Sequence, residues 1–470
     1  MLKLAVGLTT GGSCLNWGFI LLRAAIGLTV LTLLVLSQRF WYRALWRVTG
    51  NWGNRWLRIG ARLVYIALLV LIILALTDGF RTGRGRIIPR GTMINVFAGL
   101  WFSSALFAYL SVKLVRAVDW IWHFVRLRMH SDQTAQAITV AASPGEPQTA
   151  DIVPNPSRRY FFRTATMAAG AAPFLGAMYG FAAERLNYQI REVELPVANL
   201  PAGLNGLKIA QLSDIHMSGY MPRSQVRRAV DMANELDADI AFVTGDFITG
   251  ARDPLGECID EISRLHAPLG VWGCNGNHEI YARAEEAAQQ YFARYGMRLL
   301  RSENAQIAFN GAKFNLIGVD YQRERALNGR RVQMLPNLEP LIRRDMPNIL
   351  LSHNPNTFNR ASELGIEVSL AGHTHGGQIQ VEILDHRLSP ARFITDYIAG
   401  VYHRPLFLPA HDDRAWHAPN SGPSTQFGIS AVNRPLSLLY VNRGLGTVGA
   451  PVRLGVPPEI TLLTLRRSKD

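Results

Sequence analysis

Cysteine is almost absent from the sequence: Cys14, Cys258 and Cys274 are the only three in 470 residues. An odd and sparse set supports no disulfide framework, and no pair has the CxxC spacing of a metal or redox site. Cys274 follows a predicted strand, where we expect a small buried hydrophobic side chain. The sequence therefore predicts neither a disulfide-stabilised fold nor a cysteine-based metal centre.

Acidic residues are also in deficit, with 35 Asp and Glu against 49 Lys and Arg, a net charge of +14 and a pI near 10. Such a charge can indicate nucleic-acid binding, but few aromatic residues accompany the basic ones in the last two thirds of the chain. Much of the arginine excess instead surrounds long apolar runs in the first third, where anionic lipid and membrane topology explain it. We expect a membrane partner and no nucleic acid.

Three apolar segments in the first third predict membrane-spanning helices. They cover residues 17–37, residues 59–77 around the apolar run 63–76, and residues 93–112. A helix needs about 20 residues to cross a bilayer, so the first and third qualify alone and the second qualifies with its flanks. The alternative is three core helices of a soluble domain. We expect residues 1–130 to form a three-span transmembrane region.

The distribution of arginine predicts the orientation. Residues 38–62 carry six arginines and no acid, and residues 113–128 carry four more basic residues, so both segments should be cytoplasmic. The N-terminus then lies outside. The loop that holds Arg81, Arg84, Arg86 and Arg90 would also lie outside, against the rule.

Residues 131–157 are rich in Ala, Ser, Pro, Gln and Thr, which predicts a flexible linker. Residues 158–184 begin with Arg158 and Arg159 and continue with a small-residue stretch that resembles the apolar part of a twin-arginine export signal. The alternative is a fourth membrane segment, and the sequence does not decide whether it is cleaved. In both cases the chain crosses outward, so we expect residues 185–470 to form a domain outside the cytoplasm.

Five apolar strands predicted in this domain each end in a carboxylate, an imidazole or a carboxamide. The residues concerned are Asp214 and His216, Asp246, Asn277 and His278, His353, and His373 and His375. Asp214 and His216 can reach one ion because residues two apart on an extended segment face the same side.

Each of these residues alone has an ordinary structural explanation: a turn for Asp214, a helix cap for Asp246, a core histidine for His353. Together, seven ligands suit two neighbouring divalent ions, whereas a single zinc needs only three or four. Asp246 can bridge two ions because its carboxylate has two oxygens.

These blocks, in this order, resemble the calcineurin-like metallophosphoesterase family. The matching motifs are Asp214-x-His216, Gly245-Asp246, Gly276-Asn277-His278-Glu279, His353 and Gly372-His373-Thr374-His375. The segments 440–446 and 453–460 resemble the end of its membrane-associated bacterial branch. Asn356 departs from the family, because many relatives have aspartate there. The resemblance implies an α/β fold of four layers, with two mixed β-sheets flanked by helices.

The resemblance also implies a metal centre with two divalent ions, which Mn, Fe, Zn, Co or Mg could supply. It places Asp214, His216 and His375 on the first ion and Asn277, His353 and His373 on the second, with Asp246 bridging. His278 would face the substrate as the catalytic residue. We expect Glu279 to cap or orient its neighbours and not to bind a metal.

The implied reaction is hydrolysis of a phosphate ester. Two ions lower the pKa of a shared water, which makes hydroxide available near neutral pH. His278 would protonate the leaving oxygen or stabilise the phosphoryl charge. Membrane placement makes a lipid-linked phosphodiester or pyrophosphate the natural substrate class, by analogy with relatives that hydrolyse UDP-diacylglucosamine or glycerophosphodiesters.

Two other functions fit parts of the pattern. A membrane-anchored sensor or scaffold would keep the metal fold without catalysis. A transporter or channel would use the apolar spans, but Arg23 is the only charge that we expect to be buried within them. Residues 407–435 contain His411, Asp412, Asp413 and His417 and form either a lid or, as we favour, an ordinary loop.

Overall fold

The computed structural model describes residues 17–79, 93–138, 156–324, 330–383, 386–393, 395–406 and 435–468. Cys14, the arginines of residues 81–90, most of the predicted linker and residues 407–434 lie outside the described residues. The chain divides into a helical unit, residues 26–180, and a C-terminal unit, residues 181–470 with residues 1–25.

Four long helices account for the first part of the chain. They are α1 (Trp17–Gly50), α2 (Arg55–Gly79), α3 (Met93–Ile138) and α4 (Pro156–Ala182). The segments Ala24–Gly50 and Val96–Val125 are long and apolar enough to span a membrane. Their side chains include exposed apolar residues such as Leu28 (66%) and Val35 (59%), which favour contact with lipid over water. These features indicate membrane association.

The other segments predicted for this region fall on these helices, and their assigned roles stay predictions. The second predicted span lies within α2, and the three-span topology stays a prediction. Helix α3 continues to Ile138, so the first eight residues of the predicted linker are helical. The twin-arginine-like segment lies in α4, which contains Pro173 in its interior.

Helix α4 packs against α1 and α3 within the helical unit. The Phe174 ring lies 5.6 Å from Trp41 of α1 and 5.7 Å from Trp101 of α3. Arg158, at the start of α4, donates a 2.5 Å hydrogen bond to the carboxylate of Asp119 in α3. An aromatic cluster and an ion pair therefore join the two ends of α4 to its neighbours.

The C-terminal unit alternates strands and shorter helices. Its helices are α5 (Arg223–Asn234), α6 (Leu255–Ile262), α7 (Asn277–Ala282), α8 (Glu285–Arg294) and α9 (Phe358–Glu363). Its strands are β1 (Gln189–Val197), β2 (Lys208–Leu212), β3 (Ile240–Thr244), β4 (Val271–Cys274), β5 (Arg298–Leu299), β6 (Glu303–Phe309), β7 (Ala312–Gly318), β8 (Asn348–Leu351), β9 (Val368–Ala371), β10 (Val381–Ile383), β11 (His386–Leu388), β12 (Gly400–Pro405), β13 (Leu436–Val441) and β14 (Glu459–Arg467).

Two six-stranded mixed sheets form the centre of this unit. The first has the order β1-β14-β2-β3-β4-β5, with β14 antiparallel to β2 and the other pairs parallel. The second has the order β12-β13-β9-β8-β7-β6, with antiparallel pairs at its two edges. Strands β10 and β11 pair separately. The expected α/β fold with two mixed sheets is confirmed.

The core follows from the alternation of side chains along the strands. In β2, Ile209 packs between the sheets with Phe242 and Leu370, whereas Leu212 on the other face packs with Val226 of α5. A third apolar cluster covers the outer face of the second sheet with α9 and residues 335–342. Full burial of each such side chain contributes about 1.5–3 kcal/mol. The result is four layers, with helices outside both sheets.

The position of strand β14 within the first sheet is not predicted by local patterns. It lies between β1 and β2, and Gln189 pairs with Glu459 across 270 positions of the chain. Each of these strands has an ordinary strand pattern, but no local signal specifies its partner. The pairing joins the beginning and the end of the C-terminal unit.

The loop after β13 is organised by the buried side chain of Arg453. This guanidinium is 0% exposed and donates hydrogen bonds to the carbonyls of Arg443, Gly444, Gly446 and Val456, at 2.6–3.3 Å. Burial lowers the pKa of Arg453 to about 10, which still leaves it charged at neutral pH. The Gly446 N–H in turn donates to the Asp214 carbonyl at 2.7 Å. Arg453 therefore fixes the loop that packs against Asp214.

Replacement of this side chain, Arg453→Met, should lower the stability of the C-terminal unit by about 3 kcal/mol, because buried carbonyls lose their charged donor. For a unit of this size the unfolding midpoint should fall by roughly 6–12 °C. Thermal unfolding of the full-length chain in detergent measures the shift. The exposed Arg191 of β1 provides the control, since Arg191→Met should change stability by less than about 0.5 kcal/mol. Equal midpoints for the two variants would contradict this role of Arg453.

Candidate metal centre

The predicted site residues follow the ends of five strands at one edge of the two sheets. Asp214 and His216 follow β2, Asp246 follows β3, and Asn277 and His278 follow β4. His353 follows β8, and His373 and His375 follow β9. Hydrogen bonds join the sheets at this edge, since His353 Nδ1 donates to the Thr244 carbonyl at 2.6 Å and Gln211 Nε2 donates to the Ala371 carbonyl at 3.1 Å.

One group of side chains consists of Asp214, His216 and His375, whose ligand atoms lie within 4.8 Å of one another. The Nε2 atoms of the two histidines are 3.1 Å apart, and His375 Nε2 is 3.3 Å from Asp214 Oδ1. All three residues are buried. The imidazoles and the carboxylate thus converge on one small volume.

A second group consists of Asp246, His353 and His373, again within 4.8 Å. His353 Nε2 lies 3.0 Å from Asp246 Oδ2, and the same oxygen lies 3.4 Å from His216 Nε2 in the first group. One oxygen of Asp246 therefore lies between the two groups.

The donor atoms fit divalent cations. The Asn277 side-chain oxygen is buried and has no hydrogen-bond partner. A buried polar atom without a partner is costly unless an ion or water satisfies it. Imidazole, carboxylate and carboxamide suit Mn, Fe, Zn and Co, with Mg favouring the oxygens.

Three of the histidines are held in the neutral form that binds metals. Burial lowers the pKa of His216 to about 3 and that of His373 to about 4. Burial, followed by the charge of Arg453, lowers the pKa of His375 well below its usual value. Their ring nitrogens therefore have lone pairs available at neutral pH.

His353 behaves differently because it faces two carboxylates. Burial acts to lower its pKa, but Asp246 and Asp214 outweigh burial and raise it to about 10. Burial acts to raise the pKa of Asp246, but His353 and then His216 bring it well below its usual value. The two residues therefore stabilise a positive charge between His353 Nε2 and Asp246 Oδ2. A metal cation at that position would be stabilised in the same way.

The backbone at the site is unusual. Asp214, His216, Asp246, His373 and His375 all have φ between 49° and 73°, a region that non-glycine residues seldom adopt. Such residues cost of order 1–3 kcal/mol each and concentrate at functional sites. Backbone hydrogen bonds hold them, since the His216 N–H donates to the Asp246 carbonyl at 2.9 Å and the His373 N–H donates to the Asp214 carboxylate at 3.0 Å.

Two glycines allow the site residues to approach one another. A Cβ on Gly276 would collide with the Asp246 carboxylate, and a Cβ on Gly372 would collide with Ser213 and Asp214. The Gly-Asn and Gly-His pairs in the sequence thus reflect a steric requirement.

The expectation that Glu279 caps its neighbours is confirmed. Its buried carboxylate accepts hydrogen bonds from the N–H groups of Gly276, Asp246, Phe247 and Ile248, at 2.8–3.3 Å. Burial and then the charge of Asp246 raise the pKa of Glu279 to about 7, against these donors, which lower it. Glu279 therefore fixes the loop that carries Asp246.

His278 lies in the first turn of α7, beside the first group. Its ring centre is 4.7 Å from that of His216, and its Nδ1 donates to the Thr249 carbonyl at 2.7 Å. Its backbone N–H donates to Asp246 Oδ1 at 2.9 Å. These contacts orient the ring and leave Nε2 as the nitrogen available for proton transfer.

Sequence reasoning missed several neighbours of the site. The centre of the Tyr321 ring lies 5.2 Å from that of His373, and the centre of the Tyr281 ring lies 5.7 Å from that of His278. The Arg323 guanidinium lies 5.2 Å from the centre of the Tyr281 ring. Burial raises the pKa of Tyr321, so it stays protonated. Tyr321 follows the end of β7, so the strand-end pattern could have identified it.

Comparison with known proteins agrees with the family resemblance seen in the sequence. Residues 207–377 match the family model described as Calcineurin-like phosphoesterase. Over 301 residues the chain is 27% identical to a Danio rerio protein named Transmembrane protein with metallophosphoesterase domain, with 62% of this chain and 60% of that relative covered. The matched part thus spans about 60% of the length of this relative.

Two bacterial relatives match more of their own length. The chain is 27% identical over 320 residues to the Bacillus subtilis protein named Uncharacterized metallophosphoesterase YkuE, with 66% of this chain and 98% of the relative covered. It is 25% identical over 313 residues to the UDP-2,3-diacylglucosamine pyrophosphatase LpxG of Chlamydia trachomatis, with 56% and 86% covered. Residues 207–377, within the C-terminal unit, thus match the calcineurin-like phosphoesterase family, and the relatives that match this part of the chain are named as metallophosphoesterases or as a pyrophosphatase.

Proposed function

We propose that the chain is a membrane-anchored phosphoesterase that hydrolyses phosphodiester or pyrophosphate bonds at a centre of two divalent ions. The observation that carries this proposal is the meeting of two ligand groups around one oxygen of Asp246. A sensor or scaffold that had lost catalysis would be expected to have lost ligands, and the grouping of Asp214, His216 and His375 and of Asp246, His353 and His373 argues against such a loss.

The assignment of ligands to ions follows the two groups. Asp214, His216 and His375 would hold the first ion, and Asn277, His353 and His373 would hold the second. The unpartnered Asn277 oxygen supports the inclusion of Asn277 in the second group. Asp246 bridges, because its Oδ2 lies within 3.4 Å of an imidazole nitrogen from each group.

Hydrolysis adds the oxygen of water to phosphorus and a proton to the leaving oxygen. Divalent ions held by these residues would supply Lewis acidity to the phosphoryl oxygens and lower the pKa of a water. His278 is the proton donor, and its Nε2 gives the proton to the leaving oxygen. Because Nδ1 keeps its own proton on the Thr249 carbonyl, His278 is cationic before this transfer and neutral after it.

The substrate class that we favour is a lipid-linked diester or pyrophosphate. Two observations support this choice. Two apolar helices are long enough to span a membrane, and the chain is similar to a protein named UDP-2,3-diacylglucosamine pyrophosphatase LpxG. Both support an amphiphilic phosphate ester as the substrate. The chemistry at the metal centre is common to both bond types.

We further propose that the chain is multi-pass and that α4 stays in the mature protein, with the C-terminal unit outside the cytoplasm. A removable signal has no need of fixed contacts, whereas α4 packs through Phe174 and Arg158 within the helical unit. The arginine-rich segment 38–62 supports the orientation.

With Mn²⁺ added, the full-length chain should hydrolyse bis-p-nitrophenyl phosphate, and His278→Ala should reduce kcat while metal content stays unchanged. The loss should be about 10²–10⁴-fold for an alkyl leaving group, which needs a proton, and smaller for p-nitrophenolate. Parallel assays measure the two losses in kcat, with dimethyl phosphate for the alkyl leaving group and methyl p-nitrophenyl phosphate for p-nitrophenolate. Metal analysis of the same samples measures the metal content.

The exposed His266 supplies the matched control, since His266→Ala should leave both rates unchanged. A metal-loaded wild-type chain that turns over no phosphate ester would favour the sensor or scaffold function.

The variants His373→Ala and His375→Ala should each lower bound metal from two ions to about one per chain, because each removes a ligand from a different ion. Elemental analysis after desalting measures the ratio, with His403→Ala on β12 as control. Loss of both ions in both variants would refute the division into two sites.

Alkaline phosphatase fused to the C-terminus should be active and should migrate with a chain of full length, 52.2 kDa plus the reporter. Blotting against the reporter gives the size, and reporter activity gives the side of the membrane. An inactive reporter would overturn the orientation, and a product shortened to the region after α4 would overturn its retention.

A further inference from the structure

We propose that a polar cavity next to the metal centre binds a hydroxyl-rich ring, of the size of one sugar, in the substrate. This inference rests on the proposed phosphoesterase function and deepens it. The cavity has a volume of about 510 Å³, and its wall begins at Gly376, the residue after His375. Because the cavity wall continues from the loop that carries His373 and His375, we assign to it the part of the substrate that is joined to the phosphate.

The cavity wall is attached to the loop that carries His373 and His375. Thr374, between these histidines, donates a 2.5 Å hydrogen bond from Oγ1 to the Ile398 carbonyl. The Tyr402 hydroxyl accepts from the N–H groups of Ile398 and Ala399, at 2.8 and 3.3 Å. Residues 395–399 and the histidine loop thus form one connected structure.

A second hydrogen bond joins the cavity wall to Asn356, the position at which many of the proteins that the sequence resembles have aspartate. Thr395 Oγ1 donates to the side-chain oxygen of Asn356 at 2.7 Å. Tyr397 next to it is buried and donates from its hydroxyl to Asn359 of α9 at 2.6 Å. The wall is therefore held in place before any ligand binds, which lowers the entropic cost of binding.

The lining contains both hydrogen-bond donors and acceptors. Its polar side chains are Gln380, Arg392, Thr395, Asp396, Tyr402 and Arg443. Arg443 also pairs with Glu459 at 3.2 Å, so part of its charge is compensated. The lining thus carries cationic, anionic and neutral groups together.

This mixture selects among ligand chemistries. A second phosphate would meet the Asp396 carboxylate beside Arg392, and Arg443 is already paired with Glu459, so its charge would be only partly matched. An apolar group would remove these polar side chains from water without replacing their hydrogen bonds. A hydroxyl group both donates and accepts, so it can pair with a carboxylate and with a guanidinium at once. Several hydroxyls on one ring match this lining best.

The size and extent of the cavity agree with a ring joined to a larger molecule. Ligand sites typically measure about 300–1,000 Å³. A neighbouring cavity of about 500 Å³ shares Arg392, Thr395 and Asp396 and extends towards α9. The ring therefore has room beside it for a further substituent.

The test compares two p-nitrophenyl phosphodiesters with the same leaving group, one of the glucose 6-hydroxyl and one of cyclohexylmethanol. The two differ in ring hydroxyls at nearly equal volume. In the wild-type chain kcat/KM should favour the glucosyl diester by about tenfold or more, as expected for charge-assisted hydrogen bonds. Asp396→Leu and Arg392→Met should each remove most of this preference and leave the cyclohexylmethyl diester within about twofold.

Control variants remove the same charges elsewhere: Asp345→Leu and Arg191→Met, at exposed positions away from the cavity, should keep the preference. A wild-type ratio near one, a ratio unchanged in both cavity variants, or equal losses for both diesters would each overturn the proposal. If neither diester is hydrolysed by the metal-loaded chain, the proposed function fails. The dissociation constants of the two diesters, measured by calorimetry, then test separately whether the cavity binds a hydroxyl-rich ring.

The ring can come from a soluble nucleotide sugar or from a glycolipid headgroup. Assays of UDP-glucose in solution and of a dialkylglycerol phosphoglucose in detergent micelles distinguish these sources. The source is the substrate whose hydrolysis Asp396→Leu impairs.

Discussion

The carboxylate of Asp246 is the group on which the rest of the site depends. It is 1% exposed, and its two oxygens face His353, His216 and the N–H of His278. Its own N–H donates to Glu279, which also holds the neighbouring loop. A buried anion of this kind is tolerated only when positive charge and donors surround it. The positions of four strand ends follow from that requirement.

The same requirement explains why the site is strained. Five residues with positive φ and several neutral buried imidazoles would destabilise an isolated loop. Here the loops are anchored to two sheets that share an apolar core, and the cross-sheet bond from His353 to the Thr244 carbonyl ties them together. Stability contributed by the core thus maintains a cluster that a metal cation would relieve of its electrostatic cost.

The sequence predicted the strands and the polar residues at their ends because both are local patterns. The polar residues expected at the ends of five strands do follow β2, β3, β4, β8 and β9. The pairing of β1 with β14, the burial of Arg453 and the positive φ values depend on contacts between distant residues, so no local pattern reveals them. Tyr321 is intermediate: it stands at a strand end, but tyrosine is not a typical ligand.

The placement of the loops decides which of them can influence substrate choice. Strand β13 runs parallel to β9, and Val441 pairs with Ala371 at the edge that carries His373 and His375. Strand β12 is antiparallel to β13, so Gly400 lies at this edge, whereas Leu406 and Pro435 lie at the other end, about 17 Å away along the strands. Residues 407–434, for which the sequence allowed a lid or an ordinary loop, lie outside the described residues. Residues 395–399 enter β12 at the ligand edge, and the Ile398 carbonyl accepts a hydrogen bond from Thr374. Differences in substrate preference between this chain and its relatives should therefore arise from this segment.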